Sequence, residues 1–194
     1  MTQSSFSADL FGRIFHFTAD ETCFSPCDVD RGTASMLSIV SFSRGQKVLD
    51  LGCGYGCIGI YAASIVGDEN VFMTDIHENS LRYARKNSDL NGLSNITVVK
   101  SDGFSNFRET NFDLMLSNPP YHSDFSVPKN FLEKGYNRLR VGGVFFMVTK
   151  RKEWYKNKYL ALFGGVKIHE INGYFIFEAK KRNTSYAKNM RSSP

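Results

Sequence analysis

Residues 117–121 read Ser-Asn-Pro-Pro-Tyr and directly follow the apolar run Phe112-Asp-Leu-Met-Leu. Asn118 offers a side-chain carbonyl oxygen, and the backbone carbonyl of Pro119 offers a second acceptor. The rings of Pro119 and Pro120 fix φ at both positions, which holds that acceptor rigidly and also ends the strand, since neither residue can donate to a ladder. Tyr121 adds a flat face on which a planar group can stack. Two acceptors beside a stacking surface make a clamp for a planar amino group, whose N–H bonds need partners.

A second constellation lies upstream, in Val48-Leu-Asp-Leu-Gly52-Cys-Gly54-Tyr-Gly56. Glycines between a strand and a helix let a ligand approach the backbone at the helix N-terminus. Their spacing, Gly-x-Gly-x-Gly, differs from the Gly-x-Gly-x-x-Gly of dinucleotide sites. Asp50 precedes the loop, and Asp75 follows about 20 residues after it, where a carboxylate can accept both hydroxyls of a ribose. Ser101-Asp102-Gly103 comes next, with Asp102 either a turn cap or a third binding residue.

These residues need a frame that brings strand ends together. From residue 47 onward short apolar runs alternate with amphipathic stretches, the pattern of an α/β chain winding a mostly parallel sheet. Strands are predicted at 47–51, 71–75, 96–100, 112–117 and 143–149, with helices at 57–66, 78–90 and 128–139. A basic amphipathic helix is expected after Lys150 to about Phe163. Asn172-Gly173 then separates two β-rich runs, 166–171 and 174–179, and predicts a closing antiparallel hairpin. Ahead of the sheet, Arg13–Thr18 alternates like a strand, with Cys23-Phe24 as its expected partner, and a helix is predicted from Asp30 or Thr33 to about Phe42. The first and last dozen residues are expected to be mobile.

Asp-Leu-Gly-Cys-Gly-Tyr-Gly, Thr74-Asp75 and Ser101-Asp102 together resemble the nucleoside-binding motifs of class I S-adenosylmethionine-dependent methyltransferases. The resemblance implies a Rossmann-like seven-stranded, mostly parallel sheet with helices on both faces and a C-terminal antiparallel hairpin. It also implies that Gly52, Gly54 and Gly56 pass close to the methionine part of S-adenosylmethionine, that Asp75 holds its ribose and Asp102 its adenine amine, and that Asp50 fixes the loop or its waters. Asn118 would border both cofactor and substrate, with Asn118, Pro119, Pro120 and Tyr121 as the catalytic clamp.

Asn-Pro-Pro-Tyr is similar to the tetrapeptide of methyltransferases acting on adenine N6, guanine N2 or a glutamine amide. Phe24-Ser25 leading to Asp30-Arg31-Gly32-Thr33 is similar to the stretch before the glycine loop in ribosomal RNA guanine-N2 methyltransferases of the RsmC type. That likeness implies that Phe24, Asp30 and Thr33 lie near the cofactor's amino-acid end or the substrate pocket. It favours RNA, ribosomal RNA first, over a release-factor glutamine or DNA adenine. A non-catalytic RNA-binding module with the same fold is the alternative from another class. The expected organisation is an N-terminal extension over 1–45, a methyltransferase core over 46–182 and a flexible basic tail over 183–194.

Composition agrees with a packed globular protein: 194 residues, 42% hydrophobic and 22% charged. No apolar run approaches the roughly 20 residues that span a bilayer, and the polar start lacks signal-peptide features, so a cytoplasmic protein is expected. Nothing in the sequence sets the assembly state, and a monomer is the default. The two Cys-x-x-x-Cys pairs, Cys23/Cys27 and Cys53/Cys57, leave three residues between cysteines where zinc sites commonly leave two, and are read as small buried thiols rather than metal ligands. The net charge of +5 is concentrated in Lys150, Arg151, Lys152, Lys156 and Lys158 and in the tail beyond Glu178. Lys150, Arg151 and Lys152 are the expected contacts to an RNA backbone.

Overall fold

The structure, a computed structural model, describes residues 3–119 and 125–186. Two strands come first, β1 (Gln3–Leu10) and β2 (Arg13–Asp20), followed by α1 (Arg31–Leu37). The winding core runs β3 (Val48–Leu51), α2 (Cys57–Val66), β4 (Val71–Asp75), α3 (Glu78–Leu90), β5 (Thr97–Lys100), β6 (Phe112–Ser117), α4 (Ser126–Arg138), β7 (Leu139–Thr149) and α5 (Glu153–Phe163). The hairpin β8 (Lys167–Ile171) and β9 (Tyr174–Lys180) closes it.

The large sheet has the order β5-β4-β3-β6-β7-β9-β8, parallel from β5 to β7 and antiparallel in the last two pairings. The winding reverses between β3 and β6, so the carboxyl ends of these two central strands border the crevice where open α/β sheets take their ligands. All four residues of β3 are buried, as a strand covered on both faces requires. Along β6, Leu114 and Leu116 face one apolar cluster, shared with the first hairpin and α2, while Met115 faces the other, beside Leu132 of α4 and Tyr159 of α5. Helix α2 is apolar almost all round and sits deep in the first cluster. Asn172 and Gly173 both take positive φ, 52° and 77°, the two-residue turn that the Asn-Gly pair predicts between β8 and β9.

Three expectations about the chain ends are corrected. The partner of β2 is β1, paired from Gln3↔Asp20 to Leu10↔Arg13, and not Cys23-Phe24. Within the first dozen residues, Gln3–Leu10 are therefore strand, with Phe6 and Ala8 packed against the first cluster and Leu10 buried in it. At the other end, Tyr136 Oη of α4 lies 2.7 and 2.6 Å from the carbonyl oxygens of Asn183 and Ser185, and Tyr186 Oη donates to Glu133 O at 2.9 Å. The chain is thus fastened to α4 through Tyr186, while 187–194 lie outside the described residues.

Smaller differences have local causes. Helix α1 stops at Leu37, where the Ser38 N–H bonds back to Ala34 O, rather than near Phe42. Strand β7 begins at Leu139 rather than 143, because the irregularity between Phe112↔Leu139 and Leu114↔Val144 lets the chain pair on both sides of Gly142, whose φ is +90°. All four cysteines are free, and Cys27 is exposed while the other three are buried, so the expectation of buried thiols fails at Cys27. Among the described residues no helix is long and apolar enough to cross a membrane.

Candidate active site

The turn after β3 is tied to the next strand by its own backbone. Gly52 N and Cys53 N both donate to Thr74 O, at 2.8 and 2.9 Å. Gly52 and Gly54 take φ of +76° and +56°, which a side chain would resist. A Cβ on Gly54 would meet nothing within 4 Å, so that face of the backbone is open to a ligand. Asp75 then fastens the loop: Oδ2 accepts from Gly54 N and Oδ1 from His77 N, both at 2.9 Å. Its carboxylate is oriented by two backbone donors and still lines the cavity.

Two of the predicted cofactor residues lie behind this wall rather than on it. Gly56 caps α2, and a Cβ there would come within 3.2 Å of Met73 Sδ and 3.3 Å of Ala84 Cα, so this glycine serves close packing of α2 against β4 and α3. Asp50 is fully buried and accepts from Gly59 N of α2 at 2.9 Å. Burial pushes its carboxyl up to about 7, against the pull of that N–H. Asp50 holds the helix that carries the loop.

The cavity itself has a volume of about 400 Å³, within the usual range for small-molecule sites. Asp102 opens onto it with an exposed side chain while its backbone carbonyl accepts from Ser105 N, so turn and wall are both its work. Phe24, 54% exposed, lines it from the N-terminal side. Asp30, Asp75 and Asp102 are on the wall, and among the described residues neither lysine nor arginine lines it, an acidic surround that suits a cationic cofactor.

Asn118 leaves the end of β6 onto the same wall. Ser117 Oγ donates to Leu51 O at 2.7 Å and locks the end of β6 to that of β3. Asn118 Nδ2 donates to Asp30 Oδ2 and to Thr33 Oγ1, both at 2.9 Å. The same Asp30 oxygen accepts from Thr33 N and caps α1. The two hydrogens of the amide are thereby committed to the α1 terminus, and Oδ1 is the end that can accept from an N–H donor. Pro119 also lines the cavity. Pro120 and Tyr121, the rest of the expected clamp, lie outside the described residues.

The methyltransferase small domain family matches residues 15–178, nearly the whole chain. The chain belongs to this family. Among its relatives are the uncharacterized protein YbxB of Bacillus subtilis, 33% identical over 92% of both chains, and the ribosomal RNA small subunit methyltransferase C of Haemophilus influenzae, 38% identical over 70% of this chain and 37% of that one. Among solved structures, the Thermus thermophilus 16S rRNA N2 G1207 methyltransferase RsmC, in complex with AdoMet and guanosine, superposes with a TM-score of 0.86 at 28% identity, covering 93% of this chain and 51% of that one. The chain spans about half, or less, of the length of the methyltransferase C relatives it matches.

The site fits the cofactor of this methyltransferase family. The open glycine backbone and acidic wall suit a sulfonium and an ammonium group, and the carboxylates of Asp75 and Asp102 suit hydroxyl and amine donors. Several wall residues escaped the sequence reading, among them Thr22, Ile76, His77, Ser80, Val127 and Phe131. Ile76 is 50% exposed beside Asp75 and gives the cavity an apolar lip. Its only sequence signal is adjacency to the acid; Val127 and Phe131 read as ordinary core positions of α4. Lys150, Arg151 and Lys152 are exposed between β7 and α5, away from the cavity wall but on the edge of the sheet where Asn118 stands, since β6 and β7 run parallel and Ser117 pairs with Met147.

Proposed function

We propose that this S-adenosylmethionine-dependent methyltransferase modifies an exocyclic amino group of an RNA base, guanine N2 in ribosomal RNA, in the cytoplasm. The observation that carries the reading is the committed amide of Asn118, held by Asp30 and Thr33 on the wall of an acidic cavity. The relatives named for ribosomal RNA methylation support the substrate class.

Bound S-adenosylmethionine supplies a methyl group already activated by a sulfonium, which an amine can take by in-line displacement. The protein's task is then to position and dispose the amine's electron pair. Gly52 and Gly54 give the methionine part an open backbone, Asp75 accepts the ribose hydroxyls, and Asp102 accepts the adenine amine. Asp50 and Gly56 act from behind, through α2. Asn118 Oδ1 and the Pro119 carbonyl accept the two N–H bonds of the substrate amine, which turns its lone pair out of the ring's π system. Pro120 keeps that carbonyl rigid and Tyr121 stacks on the base. Phe24 borders the pocket, and Lys150, Arg151 and Lys152 meet the RNA backbone. In this reading residues 1–45 form an extension that supplies Asp30 and Thr33 to a core over 46–182, with 183–194 as a basic tail.

The test is incubation with methyl-labelled S-adenosylmethionine and separated RNA and protein fractions. Label is expected in RNA. Label in protein glutamine, or no binding of S-adenosylmethionine by calorimetry, would contradict the reading.

A further inference from the structure

Three successive basic residues leave β7, and each settles over a different aromatic ring. Lys150 Nζ is 5.2 Å from the centroid of Tyr174, Arg151 Cζ 4.9 Å from Phe125, and Lys152 Nζ 5.0 Å from Phe175. Phe125 in turn stacks on Trp154, with centroids 4.4 Å apart and planes 19° from parallel. Phe125 precedes α4 and Trp154 lies in the first turn of α5, so the stack joins the starts of two helices at the carboxyl edge of the sheet. Two residues beyond Phe125, Val127 lines the cavity.

Arg151 differs from the other arginines seated on rings. Arg82, over Tyr83, donates to Asn79, and Arg138, over Phe104, donates to Glu109 O. Among the described residues the guanidinium of Arg151 donates no hydrogen bond and meets no carboxylate, although the residue is exposed. Its plane is supported on one side while its donor edge is unused.

We propose that Arg151, seated on the Phe125–Trp154 stack, is a stacking site for the unpaired base next to the methylated nucleotide. This rests on the RNA reading above. A base drawn into the cavity for reaction leaves its neighbour without a stacking partner, and a protein plane on the same carboxyl edge of the sheet offsets that loss. A guanidinium offers a face to the base and a fork of N–H donors to its phosphate, whereas a lysine offers only charge. Lys150 and Lys152, on either side, neutralise the flanking backbone.

Trp154 is the only tryptophan in the chain, so its fluorescence reports on the stack directly. The probe is a single-stranded RNA of about ten nucleotides with one guanosine among uridines, compared with the same RNA carrying an abasic residue on one or other side of the guanosine. With the full-length protein, binding is expected to change Trp154 emission, and one of the two abasic positions is expected to weaken binding about tenfold. Arg151→Lys should lose most of that difference while keeping its thermal midpoint and its affinity for S-adenosylmethionine. An abasic penalty of the same size in wild type and Arg151→Lys overturns the inference alone if RNA is still methylated. A wild-type protein that binds none of these RNAs and labels only protein overturns both this inference and the RNA reading.

Discussion

Asn118 Nδ2 stands 2.9 Å from Asp30 Oδ2 although 88 positions separate the two residues in the chain. One carboxylate oxygen therefore caps α1 and orients the amide at the end of β6. Asn118→Ala removes the acceptor and should lower single-turnover methyl transfer about a hundred- to a thousandfold, by analogy with deleting one group that stabilises a transition state. Calorimetry should find S-adenosylmethionine affinity close to wild type; an equal loss of binding would make Asn118 a structural residue. Asp30→Ala should slow transfer less and cost about 1 kcal/mol of stability as a lost cap, and Asp30→Asn, which keeps an acceptor, should recover most of both.

Asp75 joins the glycine loop to the cavity wall through Gly54. Asp75→Ala removes a charged acceptor, and by the usual strength of such bonds the affinity for S-adenosylmethionine should fall about ten- to a hundredfold. Calorimetric titration decides this. Unchanged affinity would remove Asp75 from the ribose site.

Asp50 predicts a pH dependence of stability. Burial raises its carboxyl from 3.8 to about 7, opposed by the Gly59 N–H and reinforced by the charge of Asp75. Between those two values the unfolded chain has lost the proton that the folded chain keeps, so stability falls as pH rises through this window and levels off above it. Denaturant unfolding at a series of pH values should show the decline in wild type and a flatter curve for Asp50→Asn. Parallel curves would contradict the assignment.

The salt dependence of RNA binding should report on the basic turn. Replacing Lys150 and Lys152 by alanine is expected to weaken binding and reduce the slope of log affinity against log salt by about one to two. An unaltered slope would leave both residues as surface charge.

Elements marked by local punctuation were legible in the sequence, and those defined by distant partners were not. Asn172-Gly173 carries its turn type in its own side chains, and the glycine loop with Asp75 stands out because strained backbone needs glycine at the ends of apolar runs. Strand β1 escaped because Ser4, Ser5 and Ser7 mask the alternation of Phe6, Ala8 and Leu10, and because Phe11 takes a positive φ of 56° in a turn where Gly12 alone would be expected to do so. The bond from Asn118 to Asp30 depends on how α1 is laid against the end of β6, which no local pattern encodes. The different duties of Gly54 and Gly56 are equally invisible, since only packing against Met73 and Ala84 separates them.

The central claim is that the amine held beside Asn118 is guanine N2. Incubation of the protein with methyl-labelled S-adenosylmethionine and unmodified small-subunit ribosomal RNA, followed by digestion and mass analysis of the nucleosides, tests it directly. Labelled N2-methylguanosine, absent with Asn118→Ala, is the predicted result; label recovered as N6-methyladenosine, or on protein glutamine alone, would contradict it.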